Sequence, residues 1–403
     1  MSTDSISSDA PHKLRVMHAV LLLVGSCLPI LGAVLLAPLL PQMAQHFAAV
    51  PHAGVLVPLV LTMPALMVGL LGPSAGFVVD RFGRKVPLIV ALLCYSALGT
   101  APLWLDNLYG VLASRFGLGI VEAIIITCFT ALIGDYYADQ QRERMLAWQT
   151  MTGSLSAALF FVVGGALGEL GWRTPFWLYV VGALMAPCVA LMLWEPIQRT
   201  PSGADVSRHV TRFPWRHNVW LYVLTWCAGM ALFIVAVQLG FMLAGIGVHA
   251  PKLIGIAIGA SHTAVLCGAI CSRWFGRLGR VRVLCVAFAL AGASLVLLGS
   301  ASSYSQAVLA VLLNGFGSGL MIPTLASCAL ANLPVALRGR GSGGFMASFY
   351  LGEFMSPLVV VAVASLTGGL VPAVRTLGVL LVVVALACAV QWVMRRRAAP
   401  VEA

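Results

Sequence analysis

The sequence predicts an all-α membrane protein of twelve transmembrane helices, arranged as two pseudosymmetric six-helix bundles. Three observations predict it. Sixty per cent of the 403 residues are hydrophobic and nine per cent are charged, against roughly 25% charged in a soluble domain. The apolar residues fall in runs long enough to cross a bilayer, which takes about 20 residues per helix. The chain also repeats itself at a constant offset of 196 residues, pairing Arg81 with Arg277, Gly83 with Gly279, Arg84 with Arg280 and Arg142-Glu143-Arg144 with Arg338-Gly339-Arg340. Repeats of this kind are how membrane proteins build two related halves.

In chain order, residues 1–15 are a polar tail and the first bundle is 16–195, with spans at 16–39, 55–79, 86–104, 108–134, 146–170 and 173–195. Short polar turns separate these runs, and Gly and Pro recur inside them, as membrane helices tolerate. Pro196 ends the sixth run. Residues 196–217 are the one long polar segment inside the chain and hold Pro, Gly, Ser and four arginines, the composition of a linker. The second bundle is 218–394, with spans at 218–246, 252–275, 281–302, 304–333, 341–367 and 372–394, and 395–403 form a basic tail.

The net charge of +11 is a topology signal. Twenty of the 24 Lys and Arg residues flank spans on one side, in groups that include Lys13 and Arg15, the Arg81 hairpin, the linker, the Arg277 hairpin and Arg395 to Arg397. Positively charged flanks stay in the cytoplasm, so both termini are expected there and no nucleic-acid partner is expected. The ten cysteines all fall inside spans and imply no disulfide framework. Cys267 and Cys271, four apart and near His262, have the types of a soft-metal pair, but the expected reading is small buried hydrophobes, with no metal and no cofactor. Val24 to Cys27 loosely matches a lipoprotein cleavage box; the apolar run continuing past Cys27 predicts an uncleaved first helix.

The hairpin Gly76 to Lys85, GFVVDRFGRK, carries the most specific pattern. Gly76 is expected to let helices approach closely and Gly83 to permit the tight turn. Asp80 is expected to pair with arginines and to sit near a neighbouring helix N-terminus, where partial positive charge favours a carboxylate. The second copy has Gly276 in place of Asp80.

These residues resemble the signature loop of the major facilitator superfamily: Gly76, Asp80, Arg81, Gly83, Arg84 and Lys85 all match it. Arg115-Phe116-Gly117-Leu118-Gly119 in the fourth span is similar to the family's second motif, and residues 37–47 to the corresponding segment of bacterial drug-efflux-type members. The resemblance covers nearly the whole chain. It implies a twelve-helix transporter in which the hairpin latches the cytoplasmic side in one state; the alternative is a solvated, topology-setting turn. One departure stands out. The fifth span keeps Gly164-Gly165 but has Phe160-Phe161 where proton antiporters of the family often have Gly-Pro.

An ionisable side chain at the bilayer centre costs roughly 2.5–3.5 kcal/mol on insertion scales, so it faces a cavity or a partner. The deep candidates are Arg115, Glu122, His262 and Glu353. Arg115 and Glu122, seven residues apart, lie on nearly one helix face. The fourth helix lines the family's central cavity, which implies that both face substrate. A carboxyl exposed in turn to apolar surroundings and to an arginine loads and releases a proton, the reading for Glu122 and Glu353; the alternative for Glu353 is a neutral packing residue. His262 is either a proton relay or a packing residue, since its counterpart in the first half is Leu66. Gln238 and Asn314 are candidates for cavity hydrogen bonds, and Asp135 is expected to meet loop arginines. No GxxxxGK[ST] loop and no clustered catalytic constellation is present. Neither an enzyme nor a non-transporting sensor is therefore expected. The expectation is a monomeric secondary transporter in a bacterial-type inner membrane that exports small organic molecules against protons. The alternative is a proton-coupled uptake symporter for a small anionic metabolite, with Arg115 on its carboxylate.

Overall fold

A computed structural model describes residues 12–195, 215–331, 333–334 and 337–398. Among them there are twelve helical segments long and apolar enough to cross a membrane and no strand. The spans are Val16–His46, Ala53–Gly72, Lys85–Leu103, Leu108–Tyr136, Asp139–Gly168 and Thr174–Met192, then Asn218–Gly245, Pro251–Leu278, Arg280–Leu298, Tyr304–Ala331, Arg338–Thr367 and Leu370–Val390. They are called spans 1 to 12 below. The chain is a multi-pass integral membrane protein.

The number and order of spans agree with the sequence reading, and the differences lie at the ends. The helix of span 5 starts at Asp139 rather than 146, because the polar run DQQRERM continues the helix beyond its apolar part. The helix of span 7 starts at Trp215, so the last three residues assigned to the linker are helical; 196–214 lie outside the described residues. Helix likewise replaces part of both expected tails, from His12 at one end and to Ala398 at the other, while 1–11 and 399–403 lie outside the described residues.

Span 1 is not one straight helix. His12–Gly25 stops before Cys27, and Leu28–Val34, Ala37–Leu39 and Leu40–His46 follow as short pieces. Pro29, Pro38 and Pro41 each remove a backbone donor, which explains the segmentation. Ser26 Oγ and Cys27 Sγ donate to the carbonyls of Leu22 and Leu23, at 2.7 and 3.3 Å, so the break leaves those groups satisfied.

Within each half the spans pack in matching fashion: span 4 lies against spans 2 and 3, and span 10 against spans 8 and 9. Two helix pairs make the main contacts between the halves, span 5 with span 8 and span 2 with span 11, and span 1 adds contacts to spans 7 and 8. The 5–8 crossing is as close as backbones allow. A Cβ on Gly165 would stand 2.4 Å from the Pro251 carbonyl oxygen, and one on Gly255 would stand 2.4 Å from that of Phe161. At the same end Glu169 Oε1 accepts from the Lys252 backbone N–H at 3.0 Å, and Gly240 of span 7 meets Pro41. The halves are therefore closed against each other at the end opposite the charged hairpins.

Gly255→Leu places a side chain where a carbonyl already stands, and overpacking of this kind costs about 1–3 kcal/mol. The expected outcome is a longer distance between spin labels at the exposed positions 170 and 253, with a lowered unfolding temperature in detergent. An unchanged distance would contradict the closure described here.

Candidate functional site

The polar residues of the first half converge on the broken first span. Arg115 of span 4 is fully buried. Its Nη1 donates to the Tyr179 hydroxyl at 3.0 Å and its Nη2 to the carbonyls of Gly99 and Leu98 at 3.0 and 3.2 Å. Its guanidinium carbon lies 5.0 Å from the Tyr179 ring centre and 5.2 Å from that of Phe176. Span 3 supplies free carbonyls here because its helix gives way to the turn Ala101–Leu103 around Pro102. Arg115 thus ties spans 3, 4 and 6 together. The expectation is that it faces substrate; here both terminal nitrogens are engaged by protein groups, and only Nε has no partner.

Glu122, two helical turns along, is also buried. Its Oε1 has no hydrogen-bond partner and lies only 1.8 Å from where a Cβ on Gly32 would stand, so the carboxyl rests on the backbone of span 1. Tyr95 donates to the Leu28 carbonyl at 2.6 Å, and the Tyr95 and Tyr179 rings are 5.3 Å apart. Arg115 and Glu122 make no ion pair, yet the guanidinium acts electrostatically on the carboxyl. The expected shared face is present, directed into the bundle against span 1.

The second half contributes through Tyr350 of span 11. This residue packs with Val68, Ala75 and Ala123 of spans 2 and 4. Its Cβ stands 3.0 Å from where a Cβ on Gly69 would lie. There its phenol is within electrostatic reach of Glu353 on its own span and of Glu122 across the interface. Glu353 is buried, and its backbone abuts Gly229 of span 7. Tyr350 thus crosses between the halves three residues before Glu353, against the helix that packs on span 4.

The other candidates scatter. His262 sits in the 5–8 crossing, its ring 4.5 Å from that of Phe161 and its Nδ1 3.2 Å from the Ile258 carbonyl oxygen. Asn314 is fully buried inside the second half and donates to the Ala231 carbonyl at 3.3 Å, while Gln238 is buried in span 7. Neither joins the carboxyls. Cys267 is exposed, which corrects its reading as a buried hydrophobe, whereas Cys271 is half-buried and packs against the core.

At the hairpin, Gly83 has φ 84°, the left-handed conformation its turn requires. Arg84 Nε pairs with Asp135 Oδ2 at 3.0 Å, as expected for Asp135. The carboxylate at a helix N-terminus is Glu195, which accepts from the backbone N–H of Arg84 and Lys85 at 2.6 and 2.8 Å and so closes the start of span 3. Tyr136 holds Glu195 in place: its ring stacks on Trp194 at 4.0 Å and its hydroxyl donates to the Trp194 carbonyl at 2.6 Å. Arg81 is exposed, and the Asp80 side chain lies outside the described residues. A Cβ on Gly76 would meet nothing within 4 Å, so the expected close approach there is corrected; the contact of span 2 with the other half falls two turns earlier, at Gly69. Sequence reasoning missed Glu195, Tyr95, Tyr179 and Tyr350. A tyrosine deep in an apolar run is the signal that was available, since its hydroxyl needs a partner.

Comparison with known proteins extends the picture. The family model described as Major Facilitator Superfamily matches residues 22–357. The chain is 25% identical over 359 residues to Multidrug resistance protein 1 of Bacillus subtilis, covering 84% of this chain and 87% of that one. It is 26% identical over 325 residues to the 3-(3-hydroxy-phenyl)propionate transporter of Escherichia coli, covering 77% and 76%. The solved structure of a bacterial homolog to the human lysosomal transporter Spinster, inward-facing and unoccupied, superposes with a TM-score of 0.78 at 15% identity, covering 94% and 97%. That last likeness concerns the fold alone.

Arg115→Met strips hydrogen bonds to a buried cation, each worth about 1.5–3 kcal/mol, and is expected to destabilise by about 3 kcal/mol or more. Glu195→Ala removes a helix cap and is expected to cost about 1 kcal/mol. Thermal unfolding of the detergent-solubilised protein checks both, and equal shifts would contradict the structural role given to Arg115.

Proposed function

The chain belongs to the Major Facilitator Superfamily, and from that premise we propose that this transporter exports small organic molecules in exchange for protons. Residues 16–195 and 218–394 are the two bundles that rock about the midplane, with both termini on the cytoplasmic side that the basic flanks indicate. The observation that carries the reading is the pair of buried carboxyls, Glu122 resting on span 1 at Gly32 and Glu353 in span 11, whose near neighbour in sequence Tyr350 packs on span 2 across the interface. When the halves separate, the surroundings of both carboxyls change together. A carboxyl enclosed in apolar side chains keeps its proton, because charge there is expensive; one opened to water or to a cation gives it up. Substrate that enters the opened space then competes with the proton.

Export is supported by the likeness to Multidrug resistance protein 1 over most of both chains. Uptake of an anionic metabolite is the second reading, favoured by the likeness to the 3-(3-hydroxy-phenyl)propionate transporter. It requires a cation for the carboxylate, and Arg115 is engaged with Tyr179, Leu98 and Gly99. The hairpin of Gly76, Asp80, Arg81, Gly83, Arg84 and Lys85 is the proposed latch. In this conformation its contacts to Asp135 and Glu195 belong to its own half, as suits a brace that moves with that half.

Everted vesicles with an acidic interior, offered lipophilic cations, aromatic antibiotics, sugars and carboxylates, provide the test. Substrate-triggered proton release is expected for the natural chain and is lost in Glu122→Gln or Glu353→Gln, while Tyr350→Phe keeps binding but slows release. Accumulation of carboxylates in right-side-out vesicles, with no proton release for any compound, would replace export with uptake.

A further inference from the structure

The repeat allows the charged ends of the two halves to be compared position by position. In the first half the arginines are answered by acids: Arg84 meets Asp135, and Glu195 closes the N-terminus of span 3. At an offset of 196 the counterparts of Asp80, Asp135 and Glu195 are Gly276, Ala331 and Gln391. All three acids are gone, while the arginines remain. Between residues 218 and 398 Glu353 is the only acidic residue in the sequence, and it lies within span 11, well away from the hairpins.

The backbone of the second hairpin keeps the plan of the first. Gly279 has φ 89° where Gly83 has 84°, and the helix of span 9 begins at Arg280 with no side-chain cap. Arg280 follows Gly279 as Arg84 follows Gly83, and it is exposed. Arg273, Arg277, Arg280, Arg338 and Arg340 are all exposed, and among the described residues none has a carboxylate partner. Trp274 and Leu278, between these arginines, are 64% and 45% exposed.

Exposed cations at the mouth of a membrane helix, interleaved with an exposed indole and a leucine, fit one kind of partner. Trp and Leu enter the headgroup–acyl boundary, and guanidinium groups take phosphate in a fork. We propose that the second hairpin binds the headgroup of an anionic phospholipid, whose phosphate supplies the negative charge that Asp135 and Glu195 supply in the first half. The lipid is then a structural partner of one half only, and the inference stands apart from the direction of transport.

The test uses the full-length protein, delipidated in neutral detergent and titrated with phosphatidylglycerol or phosphatidylcholine under native mass spectrometry. The natural chain is expected to retain phosphatidylglycerol preferentially. Arg277→Gln with Arg280→Gln is expected to lower that retention roughly thirtyfold, the order expected for losing two cations at an anionic surface. Arg142→Gln with Arg144→Gln, the first-half pair that the repeat aligns with Arg338 and Arg340, keeps it. A reciprocal variant guards against misfolding: Ala331→Asp restores the missing acid at an exposed position and is expected to reduce lipid retention with an unchanged unfolding temperature. Equal retention of the two lipids, full retention by either the double arginine variant or Ala331→Asp, or displacement of the lipid by equimolar inorganic phosphate would each overturn the proposal.

Discussion

Hydrocarbon offers no hydrogen bonds, so a guanidinium placed in it must find every partner inside the protein. Arg115 finds partners for both terminal nitrogens where spans 3, 4 and 6 meet, and only its Nε is left without one. The carbonyls of Leu98 and Gly99 are available because span 3 breaks into a turn just beyond them. Tyr179 receives one N–H and lends its ring face. Tyr95, beside Tyr179, holds the first span by its backbone at Leu28, and the Glu122 carboxyl rests on the same span at Gly32. A residue with the types of a substrate ligand is thereby a brace, and its field reaches the carboxyl that carries the proposed chemistry.

The two halves share a plan and differ in how they are neutralised. Gly83 and Gly279 make the same left-handed turn. The first hairpin is tied to its own bundle by Glu195 and Asp135, whereas the second presents arginines outward. Repetition preserves backbone geometry because a turn needs a glycine at one place, but charge balance is free to come from the chain or from its surroundings. The same asymmetry appears at the interface. Tyr350 comes from the second half alone and packs on span 2 of the first at Gly69. Closure at the opposite end depends on backbones, with Gly165 and Gly255 admitting the carbonyls of the facing helix, so separation there exchanges little side-chain packing. Of the Gly164-Gly165 pair that survives in span 5, Gly165 sits at this crossing and Gly164 meets the Leu35 carbonyl of span 1, which gives each a packing reason whatever the transport direction.

Much was legible in one dimension. Span number and order follow from apolar run length, the expected cytoplasmic side from the distribution of arginine, and the turn conformation of Gly83 from the hairpin motif, because each depends on nearby residues or on the bilayer's thickness. The sequence by itself also identified Glu122 and Glu353, since an acid in an apolar run is conspicuous. The tertiary structure alone decided what those groups meet. Glu195 lies 110 residues from Lys85, and nothing local indicates that its carboxylate closes span 3. Gly76 has the right type for a close approach, yet the approach is made at Gly69, because the crossing point of two helices depends on their relative tilt. The same holds for Arg115 and Tyr350: helical periodicity tells which residues share a face, and only packing against neighbouring helices determines where that face points.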